Sequence, residues 1–177
     1  MKKIVAAIRV LVAVASLSST IFLAQSTGSQ AAGPVPPAIR AAKRIFVSNG
    51  GADSGLFPHP FSGDPNRAYN QLYAGLKTMG QWELVSDPAE ADLVLELRLT
   101  APYGPADPNK QKGASDPLPM LRLVVYDGKT HFVLWAMTET INEANLQKSH
   151  DRNFDDAVTA IAQDFRTLTA KAHAAAQ

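Results

Sequence analysis

Hydrophobic positions recur along the chain with two different periods, and these separate strands from helices. The cleanest stretch is Asp92 to Thr100, where Leu93, Leu95, Leu97 and Leu99 alternate with Val94, Glu96, Arg98 and Thr100. Period two with leucine on one side predicts a half-buried strand, because a helix would scatter those leucines around its circumference. Arg44 to Ser48 predicts a shorter strand. It ends in the glycine-rich run from Asn49 to Gly55, with Pro58 and Pro60 beyond, which predicts a flexible surface loop. Between Asp64 and Gly80 the period lengthens. Tyr69, Leu72, Tyr73, Leu76 and Met79 form one helical stripe, with Asp64 as N-cap, Pro65 at the first helical position and Gly80 as the stop. Trp82 to Val85 predicts another strand, Ser86 to Pro88 a turn, and Ala89 to Ala91 a single helical turn.

Residues 101–117 hold four prolines and almost no apolar content, which predicts an exposed loop between strands. Leu121 to Tyr126 and His131 to Thr140 then predict a hairpin about Asp127-Gly128-Lys129-Thr130. An even-numbered loop places Leu121, Leu123 and Val125 on one face with Phe132, Leu134 and Ala136. The other face then carries Arg122, Val124 and Tyr126 with His131, Val133, Trp135 and Met137. A last helix is predicted from an N-cap at Asn153, with Asp155 and Asp156 favourably placed in its first turn. Its apolar positions are Phe154, Ala157, Val158, Ile161, Phe165 and Leu168. The order β-α-β-β-β-β-α predicts an α/β (α+β) two-layer sandwich: a mixed sheet of four or five strands with two helices on one face.

The amino terminus changes the charge arithmetic. Met1-Lys2-Lys3, with Arg9, precedes an apolar, acid-free run from Val10 to Leu23, and small residues follow at Ala24, Ser26, Ser29 and Ala31. This is the pattern of a Sec-type signal peptide over residues 1–31, which implies a periplasmic or secreted protein. Residues 32–42 include Gly33-Pro34-Val35-Pro36-Pro37 and predict a linker, 43–172 a single domain and 173–177 a tail. The chain has 17 basic and 16 acidic residues; three of the basic ones lie in the leader and none of the acidic ones do, leaving 14 against 16. The remaining domain is faintly acidic and its basic residues are scattered, so it lacks the basic face that nucleic-acid binding requires. With no cysteine, disulfides, thiolate metal sites, a cysteine nucleophile and a lipid-bearing cysteine are all excluded. No stable membrane anchor is expected once the leader is removed.

Candidate chemistry is sparse. The Asn49–Gly55 run follows a strand, but prolines intervene before any helix begins, so it lacks the geometry of a phosphate loop. His59, His131, His150 and His173 form no ligand spacing, and neither metal nor cofactor is expected. Ser48 and Ser54 do not sit in a nucleophile-elbow sequence. The second sheet face is the anomaly: Arg98, Arg122, Tyr126 and Trp135 are placed together on it. Arginines and aromatics on an open sheet are what a protein-binding patch needs. The competing reading is that the amino-terminal segment or the proline-rich loop folds over them.

Three stretches also carry a resemblance: Ala91 to Leu97 (ADLVLEL), the hairpin LRLVVYDGKTHFVLW and the capped final helix. They resemble uncharacterised small exported bacterial envelope proteins. RAYNQLYAGLKTMGQWELVSDPAEADLVLEL is similar to the amino-terminal α/β module of TolB and of curli-secretion proteins. The resemblance spans residues 43–170 and implies a non-enzymatic envelope module, with no catalytic residue to carry over. The chain departs from TolB in lacking a propeller, and from lipoprotein members in lacking the lipid-bearing cysteine. The functional expectation is therefore a non-catalytic exported domain that binds another envelope protein through its sheet face or edge. The alternative is a small-ligand binder or hydrolase with a site between loops 49–63 and 101–117, near Asp53 and His59.

Overall fold

The structure, a computed structural model, describes residues 33–103 and 117–174. The predicted leader, residues 104–116 of the proline-rich stretch and residues 175–177 of the predicted tail lie outside the described residues. Five strands form one sheet: β1 (Arg44–Ala52), β2 (Glu83–Leu84), β3 (Leu93–Thr100), β4 (Met120–Asp127) and β5 (Val133–Thr140). The helices are α1 (Pro37–Ala41), α2 (Arg67–Met79) and α3 (Gln147–Ala174), and a 3-10 turn spans Pro88–Glu90. The sheet order is β2-β1-β3-β4-β5, parallel through β2-β1-β3 and antiparallel through β3-β4-β5. This is the mixed, two-layer α/β sandwich that the pattern predicts.

The leucine face of β3 is the centre of the core. Leu93, Leu95, Leu97 and Leu99 are buried, beside Ile45 and Val47 of β1 and Leu121, Leu123 and Val125 of β4. Burying each leucine contributes about 1.5–3 kcal/mol. Helices α2 and α3 cover that face with Leu72, Leu76, Phe154, Val158, Ile161 and Phe165. Trp82, next to β2, stacks on Phe165 with ring centroids 5.1 Å apart.

Four local outcomes differ from the sequence pattern, and each has a non-local cause. The stretch expected to be a linker carries α1, whose Ile39 is only 1% exposed within the compact unit that starts at Pro34. Strand β1 continues through the glycines to Ala52, with an irregularity between Asn49 and Ala52 opposite β3. There Gly51 takes φ +76°, and a Cβ at Gly50 would lie 2.9 Å from the Leu97 carbonyl oxygen. Only glycine meets both demands, so the run that looked like loop is a bulged strand. Helix α2 begins at Arg67, and Asp64 instead closes the preceding turn by accepting from the Asn66 N–H at 2.7 Å.

Helix α3 begins at Gln147, ahead of the predicted cap. Asn153 donates from its side chain to the Asn142 carbonyl at 2.9 Å. The added turn has no apolar stripe and is held by polar contacts. Gln147 donates to the Pro60 carbonyl at 2.7 Å, and Asp151 accepts from the Ser62 N–H at 2.9 Å. Arg67 of α2 completes the join, reaching Asp151 at 2.6 Å and Asp155 at 2.5 Å while lying over the Phe154 ring at 4.5 Å. Asp155 is therefore a partner of Arg67, well inside the helix, and has no first-turn dipole role.

The Arg67 guanidinium, with the Ser62 N–H, holds the Asp151 carboxyl well below its ordinary value of 3.8. A depressed pKa contributes stability above the unfolded value and loses it as pH falls below about 4. Asp151→Asn should therefore lower stability at neutral pH and flatten its decline in acid, which unfolding midpoints measured from pH 7 downward will read. Gly128 offers a second check. It follows β4 and donates to the Asp92 carbonyl at 2.9 Å, and a Cβ there would overlap the Ala91 carbonyl oxygen. Gly128→Ala should destabilise the fold by about 1–3 kcal/mol in urea unfolding.

Candidate functional site

Two places in the fold hold the residues that the sequence singled out. The first is the sheet face opposite the helices. Arg98 and Arg122 stand directly across from each other on β3 and β4, and both are exposed. Like charges in that position repel. Asp53 offsets this by accepting from Arg98 at 3.0 Å. Tyr126 lies two residues along from Val124 on the same face, half-buried and opposite Val94. Arg98, Arg122 and Tyr126 are thus brought together as expected.

Trp135 is not. The hairpin closes with Asp127 donating to the Phe132 carbonyl at 2.9 Å, and Tyr126 pairs with Val133. Val125 then pairs with Trp135, so Leu134 is an extra residue, a β-bulge. One added residue flips every later side chain. Trp135 and Met137 turn to the helix side, opposite Val125 and Leu123, and pack against the core. Ala136 and Thr138 turn outward, opposite Val124 and Arg122. The predicted face assignment of β5 is corrected from Trp135 onward, and the four-residue cluster is divided between the two faces. Glu139 likewise falls on the helix side, opposite Leu121.

The hairpin tip and the start of β5 hold two exposed apolar residues, of which Val133 faces as the pattern predicts and Phe132 does not. Phe132 is 73% exposed and Val133 58% exposed. The pattern aligns Phe132 with the inward leucines; the Asp127–Phe132 closure instead holds it at the hairpin tip, outside the core. β5 is also the last strand of the sheet, so one side of its backbone has no strand partner among the described residues.

The second place is a cavity of about 680 Å³ between the segment after β1 and the segments flanking β4 and β5. Asp53 sits on its wall. Its N–H donates to the Leu99 carbonyl, and its carboxylate accepts from the Ala101 N–H at 3.0 Å and from Arg98. The Ala101 N–H, followed by Arg98, lowers the Asp53 pKa. Ser54 and His150 also line the cavity, but they do not form a nucleophile relay with Asp53. Both carboxylate oxygens of Asp53 are turned to Arg98 and Ala101, and His150 meets the Phe61 ring edge-on at 6.2 Å. His59 is directed elsewhere, 3.4 Å from Gln147 Oε1. Among the described residues there is no group of three side chains able to hold a metal ion. No helix among them is long and apolar enough to cross a membrane.

No protein-family model matches the chain, and no curated protein matches it. Solved structures do. A DUF330 protein from Xanthomonas campestris aligns at 14% identity over 81% of this chain and 94% of that one, with a TM-score of 0.50. The fold is that of small bacterial α/β domains. A DUF4136 family protein from Bacteroides thetaiotaomicron aligns at 12% identity over 72% of this chain and 90% of that one, with a TM-score of 0.45. The PelC dodecamer from Paraburkholderia phytofirmans aligns at 13% identity over 75% and 92%, also with a TM-score of 0.45. At these identities the likeness concerns architecture.

The division of the arginine–aromatic cluster is open to a direct check. Trp135→Ala should cost roughly 1–3 kcal/mol of unfolding free energy, as loss of a half-buried core side chain does. Arg122→Ala should change it by less than about 0.5 kcal/mol, as for an exposed side chain. Urea unfolding of both variants reads the difference, and the reverse order would contradict the bulged register.

Proposed function

We propose that the chain is an exported, non-catalytic envelope domain that binds an extended segment of another envelope protein along the free edge of β5. The observation that carries this reading is the edge itself. Val133–Thr140 is eight residues long and ends the sheet. It contains no proline, lysine or arginine, the residues by which natural edges are blunted. The bulge at Leu134 and the inward Glu139 are the two protective features it does carry, and they leave Ala136, Thr138 and Thr140 uncharged on the open face. Such an edge offers a row of backbone donors and acceptors to an added strand, and side chains on either face supply specificity. Phe132 and Val133 give the incoming segment an apolar foothold at one end. Arg122 and Tyr126 flank it on the open face, and Trp135 on the other.

The leader pattern over 1–31 supports export, and the predicted single domain after it needs neither cofactor nor lipid. The likeness of the α2–β3 stretch to the TolB amino-terminal module supports an envelope setting and adds no TolB role. Nucleic acid is not a partner on this reading, because the domain is faintly acidic.

Site-specific photo-crosslinking of the exported protein tests the reading. A crosslinker at Ala136 or Thr138 should join a second envelope protein within one extended segment, and one at Lys77 on α2 should not. With the crosslinker at Ala136, Thr138→Lys with Thr140→Lys should reduce that product about tenfold, through edge charge, at an unchanged melting temperature. Crosslinks equally strong from α2, or a product made of two copies of this chain, would overturn the reading. Mass spectrometry of the same sample should find a mature amino terminus close to residue 32; a start at Met1 would refute export by leader cleavage.

A further inference from the structure

The cavity at the sheet's end stands apart from the β5 edge and does not depend on it. Strand β1 feeds α2 and then β2 on one side, while β3 pairs with β1 on the other. The β1–β3 boundary is therefore where the strand order reverses. In open α/β sheets the crevice outside the carboxyl ends of the strands at that point is where ligands lodge. The cavity lies there: Asp53 follows β1, Ala101 and Tyr103 follow β3, and Ile141 to Glu143 follow β5. Its volume of about 680 Å³ is that of a small-molecule site.

The walls indicate the chemistry. Leu56, Phe61 and Ile141 are buried side chains that present apolar surface to the cavity. Pro60, Pro117 and Pro119 add more, with no N–H to satisfy. Tyr103, at the mouth, is 81% exposed, so packing does not explain an aromatic there. Among the described residues no lysine or arginine lines the cavity, while two carboxylates do, Asp53 and Glu143. Arg98 offsets Asp53 in part, yet a carboxylate has about four acceptor sites and Asp53 uses two of them here. Glu143 is exposed and, among the described residues, has no cationic partner. The described lining carries net negative charge around an apolar interior, and among those residues an anion would meet no lysine or arginine.

We infer that this cavity binds a small organic amine with an apolar body. The ammonium sits between Glu143 and Asp53, the body lies against Leu56, Phe61 and Ile141, and the Tyr103 ring covers the cation. Glu143 gives the charge selectivity, because Asp53 is already shared with Arg98 and Ala101. The face of Tyr103 attracts a cation through its quadrupole.

The test uses the full chain and three probes of matched shape: phenethylamine, 2-phenylethanol and 3-phenylpropionate. Amide chemical shifts on titration should move for phenethylamine around 53–56, 101–103 and 141–144, saturating at millimolar concentration. The alcohol should bind about tenfold more weakly and the acid not measurably, the discrimination one charge-assisted contact provides. Glu143→Gln, on an exposed segment outside the strands, should weaken phenethylamine about tenfold at an unchanged melting temperature. Glu96→Gln, on the open face, should leave its affinity unaltered. Equal binding of amine and acid, shifts centred elsewhere, an unchanged affinity in Glu143→Gln, or no saturable shift would each overturn the inference. Variants of the β5 edge should bind phenethylamine normally, so failure of either proposal is distinguishable from failure of the other.

Discussion

The parallel pairing of β1 with β3 is the joint on which the rest of the molecule depends, and two aspartates fasten it at opposite ends. Parallel ladders are slightly weaker per residue than antiparallel ones. Here Asp92, immediately before β3, accepts from the N–H groups of Lys43 and Arg44 at 2.9 Å each, at the start of β1. Asp53, immediately after β1, accepts from the Ala101 N–H just past β3. Both carboxyls are held below their ordinary value, chiefly by these backbone N–H groups. The register they hold places four leucines against the helices and leaves Arg98 in water.

The helix layer is tied to that sheet by apolar burial and to itself by Arg67. One guanidinium gathers carboxylates from two turns of α3, and Asp151 also takes the Ser62 N–H. The chain between β1 and α2 is thereby drawn against α3. Phe57, Phe61 and Phe154 fill the space beneath, Phe61 and Phe154 with centroids 5.1 Å apart. This same packing forms one wall of the cavity at the sheet's end, so a structural clamp and a candidate binding surface share Phe61.

What could be read from the sequence follows the range of the forces involved. The leucine alternation of β3, the stripe and glycine stop of α2 and the hairpin position are local patterns, and they appear in the structure where the residues put them. Gly80 ends α2 in the left-handed conformation, its N–H donating to the Leu76 carbonyl. The extent of β1 through Gly50 and Gly51 depends on how near Leu97 comes, which no window of β1 contains. The first turn of α3 depends on Pro60, Ser62 and Arg67, more than 80 residues away in each case. For the candidate sites, the segments around the cavity were legible as loops rich in glycine and proline. Glu143 and His150 were not, since they enter only through the path taken after β5. Trp135 was placed on the open face because residue parity was carried straight through a strand that contains an irregularity.

That irregularity has a consequence for how the protein's exterior is encoded. Leu134 packs against the core and is skipped by the ladder, so Ala136, Thr138 and Thr140 meet solvent and Trp135 and Met137 meet the core side. Loss of Leu134 would remove the bulge and leave Trp135 opposite Val125, whereas pairing Leu134 with Val125 would exchange the two sets. The outer character of β5 is thus written in which residue the ladder skips, and two chains of nearly identical sequence, one bulged here and one regular, would differ in surface chemistry.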